Sequence, residues 1–216
     1  GEFAIRPGAL LAATDQFDIV LEGQGGHAAA PHEAIDTNLA AAHVLVALQS
    51  IASRNVDPIK QVVVSVCTLR TDTESYNVLP QQVTLRGTVR TLAEDVRDLA
   101  EERLHALVTH TAAAYQCTAA IAYERGYPVT VNHDEHTVYA ADAAEKITPG
   151  VWRDTPPIMA GEDFSYMLNE RPGAYMMIGN GEGPTVHHPM YNFNDDAIPA
   201  GCSWFAEMIE TRLPAA

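Results

Sequence analysis

The sequence predicts an α/β protein in two parts, and two observations carry that expectation. Between residues 16 and 124, stretches of alternating polarity and stretches of helical period follow one another in the order β-α-β-β-α-β. After Pro128 the texture changes to a helical stretch, a proline-rich patch, long polar loops and a closing helix. Two helices on one face of a four-stranded antiparallel sheet is the compact arrangement for the first order. The second part has few strands of its own and reads as half of a domain whose other strands lie elsewhere.

The elements follow in order. In QFDIVLE, residues 16–22, Phe17, Ile19 and Leu21 share one face, as in a strand packed on one side. In VLEGQGGHAAAPH, residues 20–32, Gly23, Gly25 and Gly26 are expected to take backbone angles closed to other residues. That would hold His27 on a sharp, exposed turn, with His32 five residues later. Over residues 35–51, Ile35, Leu39, Ala42, Val46 and Gln49 recur at a helical period with Leu45 and Leu48 beside them, and Asp36 is a candidate N-cap.

QVVVSVCTL, residues 61–69, is rich in β-branched residues and reads as a strand. In the strand at 83–91, Val83, Leu85 and Val89 point one way and Thr84, Arg86, Thr88 and Arg90 the other. Thr91 and Glu94 have the spacing of a capping box. The helix they open reaches about Tyr115, with a stripe of Val96, Leu99, Leu104, Leu107, Val108, Ala112 and Tyr115. Residues 118–124 alternate again, with Ala119, Ile121 and Tyr123 together. Further on, 134–147 is helical, 174–178 a strand and 202–213 a closing helix.

The net charge is −15, from 28 acids against 13 bases, spread rather than gathered into a tail. Such a surface repels nucleic acid and anionic membranes, so neither is an expected partner. No run of about 18 apolar residues suggests a membrane span. Cys67, Cys117 and Cys202 form neither a disulfide framework nor a CxxC site, and a reducing cytoplasm is the expected location.

Three clusters could carry chemistry: His27 with His32, Glu162 with Asp163, and His187-His188 near Asp195 and Asp196. Imidazoles and carboxylates are ligands for zinc and similar ions, and a catalytic zinc wants about three of them. This chain offers one or two convincing ligands. Each cluster also has a plain reading: His187-His188 as a surface loop, and Glu162 and Asp163 as helix-capping acids. Tyr191 and Phe193 read as core residues. The glycines match neither GxGxxG nor GxxxxGK[ST].

Taken together, GQGGHAAAPH at 23–32, NVLP at 77–80, GTVRT at 87–91, GEDFS at 161–165, PG at 172–173 and HHPMYNFND at 187–195 resemble the metal-dependent amidohydrolase branch of the M20 peptidase family. LQSIASRNVDP at 48–58 resembles it too. That branch includes hippurate hydrolases and N-acyl-amino acid deacylases. The resemblance implies an α/β zinc-peptidase-like catalytic domain with a ferredoxin-like β-α-β-β-α-β dimerisation domain inserted into it. Residues 15–127 would be the inserted domain, 1–14 a fragment of the catalytic domain and 128–216 its C-terminal part.

The implied activity is hydrolysis of an N-acyl amino acid by metal-activated water, with two divalent ions, zinc foremost and manganese, cobalt or nickel as alternatives. By the same resemblance His27 polarises the scissile carbonyl, often in the partner subunit's site. Asn77 and Arg90 bind substrate, His187 rather than His188 is a late metal ligand, and Glu162 lies near the metal site. The family's early metal ligands and its general-base glutamate belong to a stretch before residue 1. The chain is therefore expected to be the C-terminal portion of a longer, homodimeric enzyme and inactive alone. The alternative is a non-catalytic interaction module of the same fold.

Overall fold

The computed structural model describes residues 1–213. Strands β1 (Phe3–Ala4), β2 (Gly8–Leu11), β3 (Ala13–Glu22) and β4 (Gly26–His27) precede helix α1 (Thr37–Ser50). Strands β5 (Val62–Thr71), β6 (Val78–Leu79) and β7 (Gln82–Thr91) lead to helix α2 (Glu94–Ala114). Then come β8 (Thr118–Arg125), β9 (Thr130–Asn132), α3 (Asp134–Glu145), α4 (Phe164–Glu170), β10 (Met177–Ile178) and α5 (Ile198–Arg212). The chain forms two compact units. The first is Leu11–Val129 with Met159–Glu162; the second is Gly1–Leu10, Thr130–Ile158 and the described residues from Asp163 onward.

The first unit is built on an antiparallel sheet in the order β5-β7-β3-β8. Alternation along β3 buries Asp15, Phe17, Ile19 and Leu21 and turns Thr14, Gln16, Asp18, Val20 and Glu22 to the other face. Val83, Leu85 and Val89 of β7 join the buried side, and α1 and α2 cover it. Phe17 lies opposite Gly87. A Cβ at Gly87 would stand 2.2 Å from both Phe17 Cζ and the Ser65 carbonyl oxygen, so the residue is glycine to admit the ring.

Helix α1 starts as expected. The Asp36 carboxylate accepts from the amides of Asn38 at 2.9 Å and Leu39 at 3.1 Å. Its buried face is not the stripe read from the large apolar residues. Thr37, Ala40, Ala41, Val44 and Leu48 face the sheet, while Leu39 is 48% and Val46 67% exposed. The alanines bring the helix close to the sheet, and the Thr37 hydroxyl fixes its rotation by donating to the buried Pro80 carbonyl at 2.7 Å.

Helix α2 buries Val96, Leu104, Val108 and Ala112 as its stripe predicts. The expected capping box does not form. Thr91 is held in the ladder opposite Ala13 and Val62, and Ala93 occupies the cap position. The helix also buries Arg97, which its sequence does not advertise. Arg97 Nε donates to both carboxylate oxygens of Asp15 at 3.1 and 3.0 Å, and Nη2 donates to Oδ1 at 2.6 Å. Both side chains are nearly inaccessible. The Tyr123 hydroxyl donates to Asp15 Oδ2 at 2.8 Å, and the Gly126 amide donates to Oδ1 at 3.3 Å. Arg97 Nη2 returns a bond to the Gly126 carbonyl at 3.1 Å. A buried charge is tolerated only when its partner and its remaining hydrogen bonds are supplied, as they are here.

In the second unit β1 pairs antiparallel with β10, Phe3 opposite Ile178, and β2 pairs with β9. Ile5, Ala140 and Ala141 form a small core with Met176 and Trp204 against it. The strand expected over 174–178 shortens to Met177–Ile178, because the Asn132 side chain takes the Tyr175 amide at 2.6 Å. Helix α5 begins at Ile198 rather than 202, with Pro199 in its first turn where a missing amide costs nothing. Among the described residues, no helix is long and apolar enough to cross a membrane.

Replacing Arg97 by alanine strands the Asp15 charge and is expected to cost about 3–5 kcal/mol. Asp15→Leu combined with Arg97→Met should recover most of that loss. Urea denaturation of the three proteins checks this; an equal loss in single and double variants would mean that the two charges are not coupled.

Alkaline pH addresses two further groups. Burial pushes the Cys117 thiol above its ordinary 9.0. Burial, then the Asp15 carboxylate, pushes the Tyr123 phenol above 10.0. Both pKa values are raised in the folded state, so their stabilisation is full below the unfolded values and is lost as pH rises past them. Stability should hold from neutrality to about pH 9 and fall beyond it. Cys117→Ala should delay the fall in a thermal-melt series against pH.

Candidate functional site

The His27 end of the first unit is built by close approach. The Gly23 amide donates to the Gln81 carbonyl at 2.9 Å as β3 ends. A Cβ on Gly23 would lie 2.6 Å from the Ile35 carbonyl oxygen, and one on Gly26 would lie 2.9 Å from Ala34 Cβ. None of Gly23, Gly25 and Gly26 has a positive φ. The expectation of special backbone angles is thus corrected: these glycines make room for neighbouring chain.

Strands β4 and β6 then pair His27 with Val78, and the Ala28 amide donates to the Asn77 carbonyl at 3.0 Å. His27 and Asn77 are therefore neighbours, both exposed. His27 Nδ1 accepts the Ala29 amide at 3.0 Å. In the neutral ring this places the proton on Nε2, which is left as a donor. His32 does not join it; its ring lies 3.8 Å from the Glu33 carboxylate.

Arg90 stands at the other end of the same sheet, on the open face. It lines a concavity of about 420 Å³ with Thr14, Gln16, Glu124 and Tyr127, and with the backbone of Gly126 and Gly161. Its Nη1 donates to the Val89 carbonyl at 3.1 Å and touches the Thr88 hydroxyl. Among the described residues it has no ion pair.

The wall of the concavity is fixed. The Gly126 amide donates to the Thr14 carbonyl at 2.8 Å, and the Tyr127 amide to Thr14 Oγ1 at 3.1 Å. Behind it sit Asp15 and Arg97. Gly161 fits against Thr14 so closely that a Cβ would be 2.0 Å from Thr14 Cγ2. Half-buried Glu162 follows on the same segment.

The two ends are far apart. Arg90 pairs with Thr14 and Gln82 with Glu22, so eight residues of extended β7 separate Arg90 from the His27 end. That is roughly 26 Å. The fold joins His27 to Asn77 but does not bring either to Arg90. Thr14, Gln16 and Glu124 were not singled out from the sequence. The signal that could have found them is the polar half of the alternation in β3 and β8.

In the second unit His187 is exposed, with a left-handed backbone at φ 71°. Outside glycine that region is uncommon, although histidine is among the residues enriched in it. His188 holds the loop instead: its Nδ1 accepts the Met190 amide at 3.1 Å. Asp163 precedes α4, but its side chain makes no capping hydrogen bond. Phe193, expected in the core, is 49% exposed on this polar loop. Among the described residues, no three His, Cys, Asp or Glu side chains are grouped to hold a metal ion.

Residues 2–211 match the model of Peptidase family M20/M25/M40. The chain is 35% identical over 198 residues to N-acetyl-L-cysteine deacetylase of Bacillus subtilis (strain 168), covering 92% of this chain and 47% of that protein. It is 37% identical over 209 residues to N-acetyldiaminopimelate deacetylase of Geobacillus sp. (strain WCH70), covering 97% and 55%. Among solved structures it resembles the YXEP protein of Bacillus subtilis, described as a dinuclear metal binding peptidase from the M20 family. That match has a TM-score of 0.81 and 25% identity, and covers 100% of this chain and 54% of that one. The chain thus spans about half the length of the curated relatives it matches. With motifs, mixed α/β architecture and a family match over residues 2–211 in agreement, this chain belongs to peptidase family M20/M25/M40.

Proposed function

We propose that this chain is part of a metal-dependent amidohydrolase that cleaves N-acyl amino acids, of the branch that includes hippurate hydrolases, and that works as a homodimer. Residues 15–127 would form the inserted, ferredoxin-like dimerisation domain, and residues 1–14 and 128–216 part of the catalytic domain. The names of the two deacetylase relatives support the substrate class. A cytoplasmic location belongs to the same reading.

The observation that carries the proposal is the separation of Arg90 from His27 and Asn77. Arg90 offers a planar fork of donors to a carboxylate and has no acid of its own. His27 presents Nε2–H to the scissile carbonyl oxygen, where negative charge develops, and the Asn77 amide lies beside it. A span of roughly 26 Å far exceeds an N-acyl amino acid. His27 and Asn77 of one copy would therefore serve Arg90 of another.

The outer edge of β5 suits self-association. Among the described residues its backbone groups have no strand partner, Val63 and Leu69 are exposed along it, and Leu39 and Val46 are exposed on α1.

The described residues do not by themselves fit a metal centre. His187 would contribute one ligand. Most ligands for two divalent ions, zinc foremost with manganese, cobalt or nickel as alternatives, would come from the part of the relatives that this chain does not span. The strained backbone of His187 and the loop-holding bond of His188 favour His187 as the ligand.

In the whole protein, His27→Asn is expected to lower kcat by about 10²–10³ with little change in KM. Arg90→Gln should raise KM for carboxylate substrates about tenfold or more. Mixing the two variants under subunit exchange should restore about one quarter of wild-type activity, because half the dimers then carry one intact site. No recovery on mixing would overturn the shared site.

A further inference from the structure

Helices α3 and α5 line a cavity of about 250 Å³ within the second unit, and the proposed reaction leaves it unused. Trp204, Met208 and Arg212, four residues apart, form its side on α5; His136, Tyr139 and Ala140 form its side on α3. The Trp204 indole N–H donates to the Ala140 carbonyl at 2.9 Å, and the Tyr139 hydroxyl donates to the Glu135 carboxylate. With their polar ends engaged, these two residues offer the cavity their rings. Met208 adds a thioether, which packs well against aromatic rings. Apart from Met208, the aliphatic side chains of the lining are two alanines.

The two remaining polar groups are donors. The Arg212 Cζ lies 3.5 Å from the centroid of the Tyr139 ring. A guanidinium held by its face on a ring keeps its N–H edge for a carboxylate. His136 meets the same tyrosine edge-on, with ring centroids 5.9 Å apart. Its Nδ1 is buried and has no hydrogen-bond partner. An orphaned N–H is harder to bury than an orphaned lone pair, so the neutral ring carries its proton on Nε2. No carboxylate lines the cavity, and Arg212 is in no ion pair among the described residues.

We infer that this cavity is a binding site for a small aromatic carboxylate, its ring against Trp204, Tyr139 and Met208 and its carboxylate on Arg212 and the Nε2–H of His136. Aromatic walls call for a flat apolar body, and two donors without an acceptor call for an anionic end. The volume lies below the roughly 300–1,000 Å³ of pockets for drug-sized ligands, which limits the ligand to about one ring. The site contains none of His27, Asn77, Arg90 and His187, so it stands apart from the reading of those residues.

Titration of this chain with benzoate, benzamide and acetate, followed by NMR, tests the site. Benzoate should shift the amides of residues 136–140 and 204–212 saturably. It should bind about fivefold more tightly than the uncharged benzamide, as an accessible ion pair allows. Acetate should leave those amides unmoved. Arg212→Gln should bring benzoate down to the level of benzamide. His136→Phe keeps a ring, removes the donor and should weaken benzoate by about fivefold.

Arg90→Gln should leave benzoate binding unchanged, which keeps failure of this site distinct from failure of the Arg90 reading. Absence of saturable shifts in these segments would overturn the site. Equal binding of benzoate and benzamide, or benzoate binding undiminished by Arg212→Gln, would overturn its recognition of the carboxylate. Acetate binding as tight as benzoate would overturn its recognition of the ring.

Discussion

The buried pair of Asp15 and Arg97 is the constraint on which the sheet unit depends. Removing two charges from water costs several kcal/mol for each, and attraction alone does not reliably offset it. The remaining lone pairs and protons must also be satisfied, and the groups that satisfy them come from different elements. Arg97 comes from α2, Tyr123 from β8 and the Gly126 backbone from the turn that follows. The observed arrangement of helix, strands and turn satisfies all of them. The pair therefore fixes how these parts meet.

The pleat carries that constraint to the other face. If Asp15 points inward, Thr14 and Gln16 must point outward, and they form the floor between Arg90 and Glu124. The turn at Gly126 is gripped from behind by the ion pair and in front by the Thr14 backbone. The Asp15 carbonyl accepts the Thr88 hydroxyl at 2.7 Å, which places the neighbour of Arg90. A polar concavity thus rests on a rigid polar network rather than on apolar packing. Such backing holds the lining of the concavity in register.

Much of this was legible in the sequence where one signal acts alone. Alternation gave the buried faces of β3, β7 and β8, and Asp36 gave the start of α1, because pleat and cap are local devices. Reading failed where a distant partner decides. Arg97 sits within an apolar stripe, and only Asp15, 82 residues away, explains its burial. Thr91 has the spacing of a cap but belongs to a ladder. Gly23 and Gly26 look like turn glycines, yet the crowding by Ile35 and Ala34 requires them. The site divides in the same way: motif carried His27 and Arg90, but only register shows that they stand at opposite ends of a strand.

The misread face of α1 bears on the same point. Weighing apolar residues by size selects Leu39 and Val46, whereas the fold buries the smaller Ala40 and Ala41. Small residues win against the sheet because they let the backbones approach, and close packing is worth more than one large side chain held at a distance. The large residues are then left outside, on a unit whose β5 edge has no partner strand among the described residues. Exposed apolar side chains and an open strand edge are the two features that association covers. The span between Arg90 and His27 independently calls for a second copy in the proposed reaction. The surface feature and the strand length are different observations, and both would be met by the proposed homodimer.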